Sequence, residues 1–385
     1  MTIPALYIHI PFCQKICPFC SFAVRRDDLQ KHTPYFDMVK KEFALLTRAT
    51  PLDFSGIKSI YFGGGTPSRL PLTTLEQWVA WLDEKIGGKS RAQRSIEANP
   101  EDLSLAYGTG LVHLGFNRIS LGVQSFWGQG LELLKRQHTP ADSRQAISNV
   151  LQVGINDFNL DLMFGYPGQR LEHLQADLAE FVHWNPTHIS AYCLNIEERT
   201  PLFKKPQWQR WQDDNETLIA DMYRQVVLFL EDHGYRQYEV SNFAKKGHQS
   251  KQNLYNWCGK NYLGLGMGAH SLVYSQRWGN HKRWVDYKNA LTAGRLPQQY
   301  HESLDLMNKR DEVLMLNLRQ KKGLNLPSFE SVYALDLEAV WGDELEKLES
   351  AGLVKTTSHR LQLTIAGLLL ADEITAVLAS LLDTG

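Results

Sequence analysis

The sequence has no long apolar run: nothing in it approaches the roughly 18 residues that a membrane-spanning helix requires. Basic residues are not in excess either, because 41 Lys and Arg are balanced by 42 Asp and Glu. Nucleic-acid-binding proteins usually carry a basic surplus, so no nucleic-acid partner is expected. The first residues, Met-Thr-Ile-Pro-Ala, lack the charged and apolar regions of a signal peptide. We therefore expect a cytoplasmic protein with no transmembrane segment, which leaves a peripheral membrane contact open.

Cysteine is also scarce, with five residues in 385, and the odd number argues against a disulfide framework and for a reducing compartment. Cys193 and Cys258 stand alone in the sequence, and isolated cysteines are most often small buried apolar residues. The other three, Cys13, Cys17 and Cys20, fall within eight residues. Three thiolates this close repel one another unless a cation neutralises them, which predicts a metal site.

Two kinds of metal centre suit closely spaced sulfur ligands, a zinc ion and an iron–sulfur cluster. A structural zinc site needs four protein ligands, and no fourth Cys or His stands at a comparable spacing nearby. A [4Fe–4S] cluster held by three cysteines leaves one iron free for a non-protein ligand. The C-x3-C-x2-C spacing, on a loop after an apolar strand signal at residues 6–10, therefore favours a [4Fe–4S] cluster.

Strand signals alternate with helical patterns over the first half of the chain, which predicts consecutive βα units and a parallel sheet. The sequence alone does not decide whether that sheet is open and doubly wound or curled into a barrel. The predicted strands span residues 6–10, 59–62, 94–98, 118–124, 158–165 and 188–194. The predicted helices span residues 33–49, 72–86, 104–114, 129–135, 140–153 and 171–183.

After residue 200 the pattern loosens, and the stretch 252–270 is rich in glycine and aromatic residues with no clear period. From about residue 304 the sequence predicts helices followed by a short hairpin and a last helix, which is typical of a winged-helix-like module. A DNA-reading module would need a basic recognition helix, and none is present, so we expect a packing or lid role. These later elements are predicted at 214–233, 235–240, 310–318, 327–333, 335–352, 353–355, 360–364 and 365–382.

The cysteine spacing after the first strand, with Phe19 before the third cysteine, resembles the radical S-adenosylmethionine (SAM) superfamily. Tyr7 and the stretch His9-Ile-Pro-Phe-Cys narrow the resemblance to the oxygen-independent coproporphyrinogen oxidase-like group. The resemblance implies an α/β fold, an incomplete (β/α)6 barrel whose active site lies at the carboxyl ends of the strands. It also implies that the open iron of the cluster binds the amino and carboxylate groups of SAM. The expected organisation is a partial barrel at 1–235, a haem-covering region and linker at 236–303, and a mainly helical winged-helix-like module at 304–385.

A glycine-rich turn, Gly63-Gly64-Gly65-Thr66-Pro67, follows the second strand and would let a ligand approach the backbone closely. It is not a phosphate-binding P-loop, because no Lys follows, and a plain tight turn is the alternative. Polar side chains also stand at or beyond later strand ends, where an ion pair or a helix cap is the alternative to a ligand. The resemblance implies that these positions bind SAM. The candidate SAM-binding residues are Tyr7, Phe19, Gly64, Gly65, Thr66, Glu97, Gln124, Arg136 and Asp161, beside the cluster ligands Cys13, Cys17 and Cys20.

Two kinds of protein in this group share the motifs. One is the coproporphyrinogen III dehydrogenase, which uses SAM to decarboxylate its substrate oxidatively to protoporphyrinogen IX; the other is the HemW-type haem chaperone, which binds haem and hands it to haem proteins. The dehydrogenase typically carries a further cysteine at the position of Phe22, and a segment before its first strand, which here starts near Leu6. Both differences favour the chaperone, so haem or a porphyrin and a haem-accepting protein are the expected partners.

The haem-related motif of HemW-type proteins, H-N-x-x-Y-W, is altered here to Gln252-Asn-Leu-Tyr-Asn-Trp257. If a side chain still ligates haem, the ligand has to be His248, His270 or the thiolate of Cys258, although histidines that only cap or hydrogen-bond are the alternative. The expected cofactors are a [4Fe–4S] cluster and SAM, with haem as cargo. The residues expected to line the haem slot are Tyr255, Trp257, Leu263, Leu265 and Met267, with Asn253 and Lys260 near its rim.

Overall fold

The computed structural model describes residues 2–88 and 92–383, so the outermost residues of the predicted domains lie outside the described ranges. Up to residue 193 the strands are β1 (Ala5–Ile10), β2 (Phe12–Cys13), β3 (Arg25–Arg26), β4 (Ser59–Gly64), β5 (Gln93–Ala98), β6 (Arg118–Gln124), β7 (Asp157–Phe164) and β8 (His188–Cys193). The helices among them are α1 (His32–Ala49), α2 (Leu72–Lys85), α3 (Leu105–His113), α4 (Gly128–Leu133), α5 (Pro140–Gln152) and α6 (Leu171–His183).

Local signals in the sequence account for where several of these helices begin. Helix α5 starts at Pro140, whose fixed backbone suits a first helical position, and the Thr139 side chain caps it by accepting from the Asp142 backbone. Asp142 in turn accepts from the Thr139 backbone N–H at 2.7 Å, which completes a capping box. Helix α3 has the simpler cap that its sequence predicts, Ser104 accepting from the Tyr107 backbone.

The strands β1, β4, β5, β6, β7 and β8 pair in that order and are all parallel. Most of their side chains are buried, because helices cover one face of the sheet and the barrel interior covers the other. In this register Leu6 lies opposite Ile60, and Leu121 lies opposite Leu160. The carboxyl ends of the parallel strands therefore meet at one edge, where a ligand site is expected.

The second half of the chain extends this sheet and adds further layers. Its elements up to residue 303 are α7 (Pro206–Asp214), α8 (Glu216–Asp232), β9 (Arg236–Glu239), β10 (Asn242–Ala244), α9 (Lys251–Trp257), β11 (Leu263–Leu265), β12 (His270–Val273), β13 (Gln276–Asn280), α10 (Trp284–Thr292) and β14 (Gln298–Ser303). The last elements are α11 (Leu306–Leu318), β15 (Leu324–Asn325), α12 (Leu326–Tyr333), α13 (Leu337–Ser350), β16 (Val354–Thr356), β17 (Arg360–Leu363), α14 (Ile365–Leu369) and α15 (Ala371–Leu381).

The two ends of the large sheet come from the stretch after residue 235. Strand β11 pairs parallel with β1, whereas β10 pairs antiparallel with β8 and then with β9, which gives the order β11-β1-β4-β5-β6-β7-β8-β10-β9. Leu263 and Leu265 lie opposite Leu6 and Ile8 and are completely buried. The prediction that Leu263, Leu265 and Met267 line a haem slot is therefore wrong, because they belong to the core.

One predicted helix is found nearly as predicted and another is divided. The helix predicted at 214–233 is found as the single helix α8, and α7 precedes it, the two meeting at Asn215, whose side chain donates to the Trp211 carbonyl at 2.7 Å. The helix predicted at 365–382 is interrupted at Leu370, whose backbone leaves the helical region. In the residues that the structure describes, no helix has the length and apolarity to cross a bilayer.

A buried carboxyl group ties the loop after β11 to the barrel. Glu42 of α1 is fully buried and accepts hydrogen bonds from the Gly266 backbone at 2.8 Å, from Asn280 at 2.5 Å and from the Tyr287 hydroxyl at 2.6 Å. Burial raises the pKa of Glu42 to about 7, and these hydrogen bonds oppose the rise. Helix α1, the loop after β11 and the stretch from β13 to α10 thus meet at one side chain, which holds the loop at 264–270 in place.

The C-terminal module packs against the end of the large sheet, and its buried side chains are continuous with the main core. Strands β15, β17 and β16 form an antiparallel sheet, and Trp341 is buried with its indole N–H donating to the Leu378 carbonyl at 2.9 Å. Gln320, just after α11, donates to the Trp257 carbonyl at 2.8 Å and forms a bridge with Glu239. The module therefore contacts both the β9 edge and the end of α9.

Candidate functional site

The three clustered cysteines lie on the loop that follows β1. Cys13 is in β2, which pairs with β3 through the register Cys13 to Arg26, and a tight turn follows in which the Cys20 backbone donates to the Cys17 carbonyl at 3.2 Å. All three side chains line one cavity of about 370 Å³, called the first cavity below. Burial raises the pKa of Cys13 to about 12 and also raises that of Cys20. A positively charged centre is therefore needed to hold these groups as thiolates at neutral pH.

The arrangement of the thiols distinguishes a site for a single metal ion from a site for a [4Fe–4S] cluster. Within residues 2–88 and 92–383, no three Cys, His, Asp or Glu side chains converge as ligands of a single metal ion. A [4Fe–4S] cluster requires a different arrangement of the thiols, because each cysteine binds a separate iron and the thiols surround a shared volume. Cys13, Cys17 and Cys20 fit that requirement, since they line the same cavity from one short segment, Cys13 at the end of β2 and the other two in the turn that follows.

The glycine turn after β4 packs directly against this loop. Gly64 has a φ of 114°, a conformation that suits glycine, and its neighbour Gly65 donates from its backbone to the Ile10 carbonyl at 2.8 Å. A Cβ at Gly65 would lie 2.7 Å from the backbone carbon of Pro11, so no larger residue fits without moving the backbone. The Thr66 hydroxyl lies 3.6 Å from the Cys13 sulfur and donates to it. Gly64, Gly65 and Thr66 therefore form a wall of the first cavity beside the thiols.

Arg136 and Gln124 lie on the same cavity. The Arg136 guanidinium donates to the Cys17 sulfur at 3.4 Å and to the Asn99 side chain at 2.7 Å, while its buried Nε has no partner among the described residues. Gln124, at the end of β6, has a φ of 67°, a left-handed conformation that is strained for a residue with a side chain. Such strain is common where a strand end presents a side chain to a ligand.

Two carboxyl groups also belong to the polar lining of the first cavity. Glu97 accepts from the Tyr61 hydroxyl and from the Gly64 backbone, each at 2.9 Å, yet burial raises its pKa to about 7. Asp161 accepts from the Asn159 amide at 2.7 Å, and burial raises its pKa to about 6. Burial disfavours the charged form of both carboxyl groups, and of the two only Asp161 is influenced by a positive side chain in the described part of the chain, that of Arg136, so both suit a ligand that brings positive charge or hydroxyl groups.

The donor set fits SAM as the sequence resemblance implies. SAM carries an ammonium group, a carboxylate and ribose hydroxyls, for which buried carboxylates, an Arg guanidinium and glycine backbone are suitable partners. Phe19 adds an apolar surface to the first cavity and packs against a separate cluster of buried apolar side chains. Tyr7 does not line this cavity, because its hydroxyl turns toward His9, and it lies on the neighbouring cavity described below.

A chain of hydrogen bonds leads from Asp161 through the barrel interior. Asn159 donates to Asp161 and accepts from His188 at 2.6 Å, and the other ring nitrogen of His188 lies 2.9 Å from the Tyr238 hydroxyl. Because burial lowers the pKa of His188 well below its usual value, the ring is neutral and accepts from Tyr238. Asn253 donates to the same hydroxyl at 3.4 Å. The altered motif on α9 is thus connected to the first cavity by a chain of hydrogen bonds. In each of these bonds the acceptor is the residue nearer to Asp161 along the chain.

Several residues of the first cavity were not singled out from the sequence. Asn99 could have been found, since it follows Glu97 by two residues at the end of β5. Cys193 was predicted to be a buried apolar residue, and this is wrong: it ends β8, where the strand opens into the first cavity. Cys258 is exposed as well, after the end of α9, and its sulfur accepts from Lys322 at 3.6 Å. The other unpredicted residues of this cavity include Ser120, Gly122, Met163, Tyr192, Leu194 and Asn195.

A second cavity, of about 390 Å³, adjoins the first. Ser21 and Phe22, which follow Cys20 directly, line both cavities and so form their shared wall. The second cavity contains Gln252, the altered motif position, together with His270, whereas His248 and Cys258 do not line it. Its remaining lining residues are Tyr7, His9, Ala23, Asn256, Tyr262, Gly268, Ala269 and Lys282.

Comparisons with known proteins agree with this geometry. Residues 7–181 match the radical SAM superfamily, and residues 304–370 match the HemN C-terminal domain. The chain is similar in fold to Escherichia coli HemN, a coproporphyrinogen III oxidase described as a radical SAM enzyme, with a TM-score of 0.81 at 23% identity over 98% of this chain and 90% of that one. The prediction of an α/β radical SAM fold with a helical C-terminal region is thereby confirmed.

Two curated relatives are similar over nearly their whole length. Heme chaperone HemW of Bacillus subtilis is 31% identical over 96% of this chain and 97% of its own length. Heme chaperone HemW of Lactococcus lactis is 30% identical over 96% of this chain and 95% of its own length. The chain belongs to the HemW family of radical SAM proteins.

Proposed function

We propose that this protein is a haem chaperone, which binds haem and transfers it to a haem-accepting protein. The observation that carries the proposal is the similarity to the Bacillus subtilis haem chaperone across 97% of that relative. Phe22 supports the same function, because it occupies the position at which the related dehydrogenase typically has a cysteine. It lines both cavities and is 67% exposed, so it gives them an apolar boundary instead of a further thiol.

In this proposal the first cavity holds a [4Fe–4S] cluster on Cys13, Cys17 and Cys20, with SAM beside it. The cluster supplies an iron that SAM can ligate and an electron for reductive chemistry. Arg136 suits the carboxylate of SAM and already donates toward a cluster thiol, which partly neutralises the thiolate charge. Tyr7 is part of the second cavity, so we propose that it orders His9 and not SAM itself.

We propose that haem binds at the second cavity. This cavity is lined by aromatic side chains and bordered by a lysine, a combination that suits an apolar macrocycle with carboxylate substituents. Because Ser21 and Phe22 belong to the cluster loop, the loop that holds the cluster also shapes the haem cavity. Cluster and SAM can therefore influence haem binding or release without contacting the haem iron.

Haem titration of the anaerobically reconstituted protein tests this function. We expect a saturable shift of the Soret band at about one haem per chain, with a dissociation constant of about micromolar or tighter. A protein of similar size with no haem function serves as the control for nonspecific adsorption. Haem binding no stronger than that of the control would contradict the proposal.

The dehydrogenase activity is the alternative reaction on the same scaffold. Incubation with coproporphyrinogen III, SAM and a reductant under anaerobic conditions separates the two functions. We expect the substrate to remain unchanged. Formation of protoporphyrinogen IX would overturn the proposed function, even if haem also binds.

A further inference from the structure

We infer that His270 is the axial ligand of the haem iron and that Lys282 pairs with a haem propionate, so that haem enters the second cavity with its iron on the β12 side. This inference rests on the proposed function and adds to it the two side chains that hold the cargo. Both line the second cavity, and both come from the segment that follows β11.

His270 differs from the other histidines near the cavity in having a free ring nitrogen. Its Nδ1 lies 2.9 Å from the Tyr300 hydroxyl, and no described residue occupies its Nε2. His9 is buried, and its two nitrogens are engaged with the Tyr7 hydroxyl at 3.1 Å and the Ala23 carbonyl at 2.8 Å. A metal ligand needs one free nitrogen and usually has its other nitrogen hydrogen-bonded, which is the arrangement at His270.

The other candidate ligands are excluded by their positions. His248 lies at the amino-terminal end of β7, where its ring is 3.3 Å from the Asp157 carboxylate, and it does not line the second cavity. Gln252 does line it, but its amide is engaged: it accepts from Ser59 at 3.1 Å and donates to Asn256 at 3.3 Å. Gln252, which replaces the motif histidine, therefore uses its amide to hold α9 against the barrel.

The fold holds the His270 backbone in one place. A Cβ at Gly264 would lie 2.2 Å from the His270 carbonyl oxygen, so the chain crosses itself closely just before β12. The Glu42 network fixes Gly266, and β12 pairs with β13 with His270 opposite Gly279. Burial, together with the positive charges of Lys282 and Arg277, lowers the pKa of His270 and so favours the neutral imidazole that ligates iron.

Lys282 is the unpaired cation at this cavity. It is exposed and has no ion pair among residues 2–88 and 92–383, whereas its neighbour Arg277 is paired with Glu312 and Glu302. A lysine that borders a cavity beside a neutral histidine suits an anionic substituent of the ligand. Tyr262 and Phe22 provide apolar surface in the same cavity for the porphyrin ring.

Variants at these two positions, titrated with haem on the reconstituted full chain, test the inference. We expect His270→Ala to weaken haem binding by about tenfold or more and to shift the Soret band toward that of unligated haem. Added imidazole should restore the wild-type spectrum. His248→Ala is the matched control and should bind haem as the wild type does. His270→Met keeps a possible ligand and should change the spectrum more than the affinity, which separates loss of ligation from loss of folding.

The role of Lys282 is tested with two forms of the cargo. We expect Lys282→Ala to weaken binding of haem by about tenfold with no change in the Soret position, because a charge-assisted bond is lost and the iron ligand is kept. With haem dimethyl ester, which has no carboxylates, Lys282→Ala and the wild type should bind alike. A difference that persists with the ester would overturn the assignment of Lys282.

These results distinguish the inference from the function on which it rests. If wild-type protein binds no haem, the proposed function fails. If wild-type protein binds haem while His270→Ala and His270→Met keep both its affinity and its spectrum, the function stands and the ligand assignment is wrong. Iron content and circular dichroism of each variant confirm that the cluster and the fold are retained.

Discussion

Replacing Cys13, Cys17 and Cys20 together by alanine is expected to abolish uptake of a [4Fe–4S] cluster. In the proposed site each of the three thiols, which line one cavity, is the protein ligand of one iron, so the triple variant would lack all three proposed ligands. Anaerobic reconstitution with iron and sulfide should give wild-type protein about four irons per chain and broad visible absorption. The triple variant should show neither.

The two other cysteines provide the controls. Cys258→Ala removes an exposed thiol outside the first cavity, and Cys193→Ala removes one that lines the cavity at the end of β8. Both variants should retain the full cluster content. Four irons in the triple variant would contradict the assignment of the ligands, and loss of the cluster in Cys193→Ala would show that a fourth cysteine takes part.

Substituting Gly65 by alanine is expected to have the next largest effect, a loss of SAM binding of about tenfold or more. The new Cβ would lie 2.7 Å from the Pro11 backbone carbon and 2.8 Å from its carbonyl oxygen, and neither is a flexible side chain. The glycine turn and the cluster loop would have to move apart, at a cost of about 1–3 kcal/mol. Equilibrium binding of SAM to the reconstituted variant measures the effect.

Gly128→Ala is the matched control for this substitution. Gly128 is the first residue of α4, and a Cβ there would meet no atom within 4 Å. Alanine in a helix is also slightly favoured over glycine, so this variant should keep its SAM affinity and its stability. Equal SAM affinity in Gly65→Ala and Gly128→Ala would mean that the glycine turn does not shape the SAM site.

The first half of the fold could be predicted from the sequence because its signals are local. The strand predicted at 158–165 is found as Asp157–Phe164, and the helix predicted at 171–183 is found with the same bounds. The polar residues at the strand ends meet in one cavity because the strands are parallel and consecutive, so their carboxyl ends lie together. Repetition of one simple unit made that part predictable.

The stretch after residue 235 could not be predicted in the same way. Leu263 and Leu265 form a strand of three residues that pairs with a strand more than 250 positions earlier, and no local pattern indicates such a partner. The short strands at 270–303 are stabilised by antiparallel pairing with one another, and their sequences are mixed in polarity. Their aromatic and glycine residues indicated a ligand surface but not which side chains face it.

The cavity that the Tyr7 side chain lines could not be predicted from the sequence either. The alternation of β1 places Tyr7 and His9 on one face, and the motif suggested that this face serves SAM. The structure places Tyr7 on the second cavity because Gly63 and Gly64 leave room for the Tyr7 and His9 rings beside β4. Which cavity a side chain enters depends on its neighbours across the sheet, and a single sequence does not contain that information.

Transfer of haem to an acceptor is the measurement that tests the central proposal most directly. Reconstituted protein carrying one equivalent of haem is mixed with the apo form of a b-type haem protein from the same cells, and the acceptor spectrum is followed with time. Haem carried by serum albumin, at the same free haem concentration, is the reference for passive release. We predict that the acceptor fills faster from this protein than from albumin. Equal rates from both donors would contradict the chaperone function, because haem would then reach the acceptor only through solution.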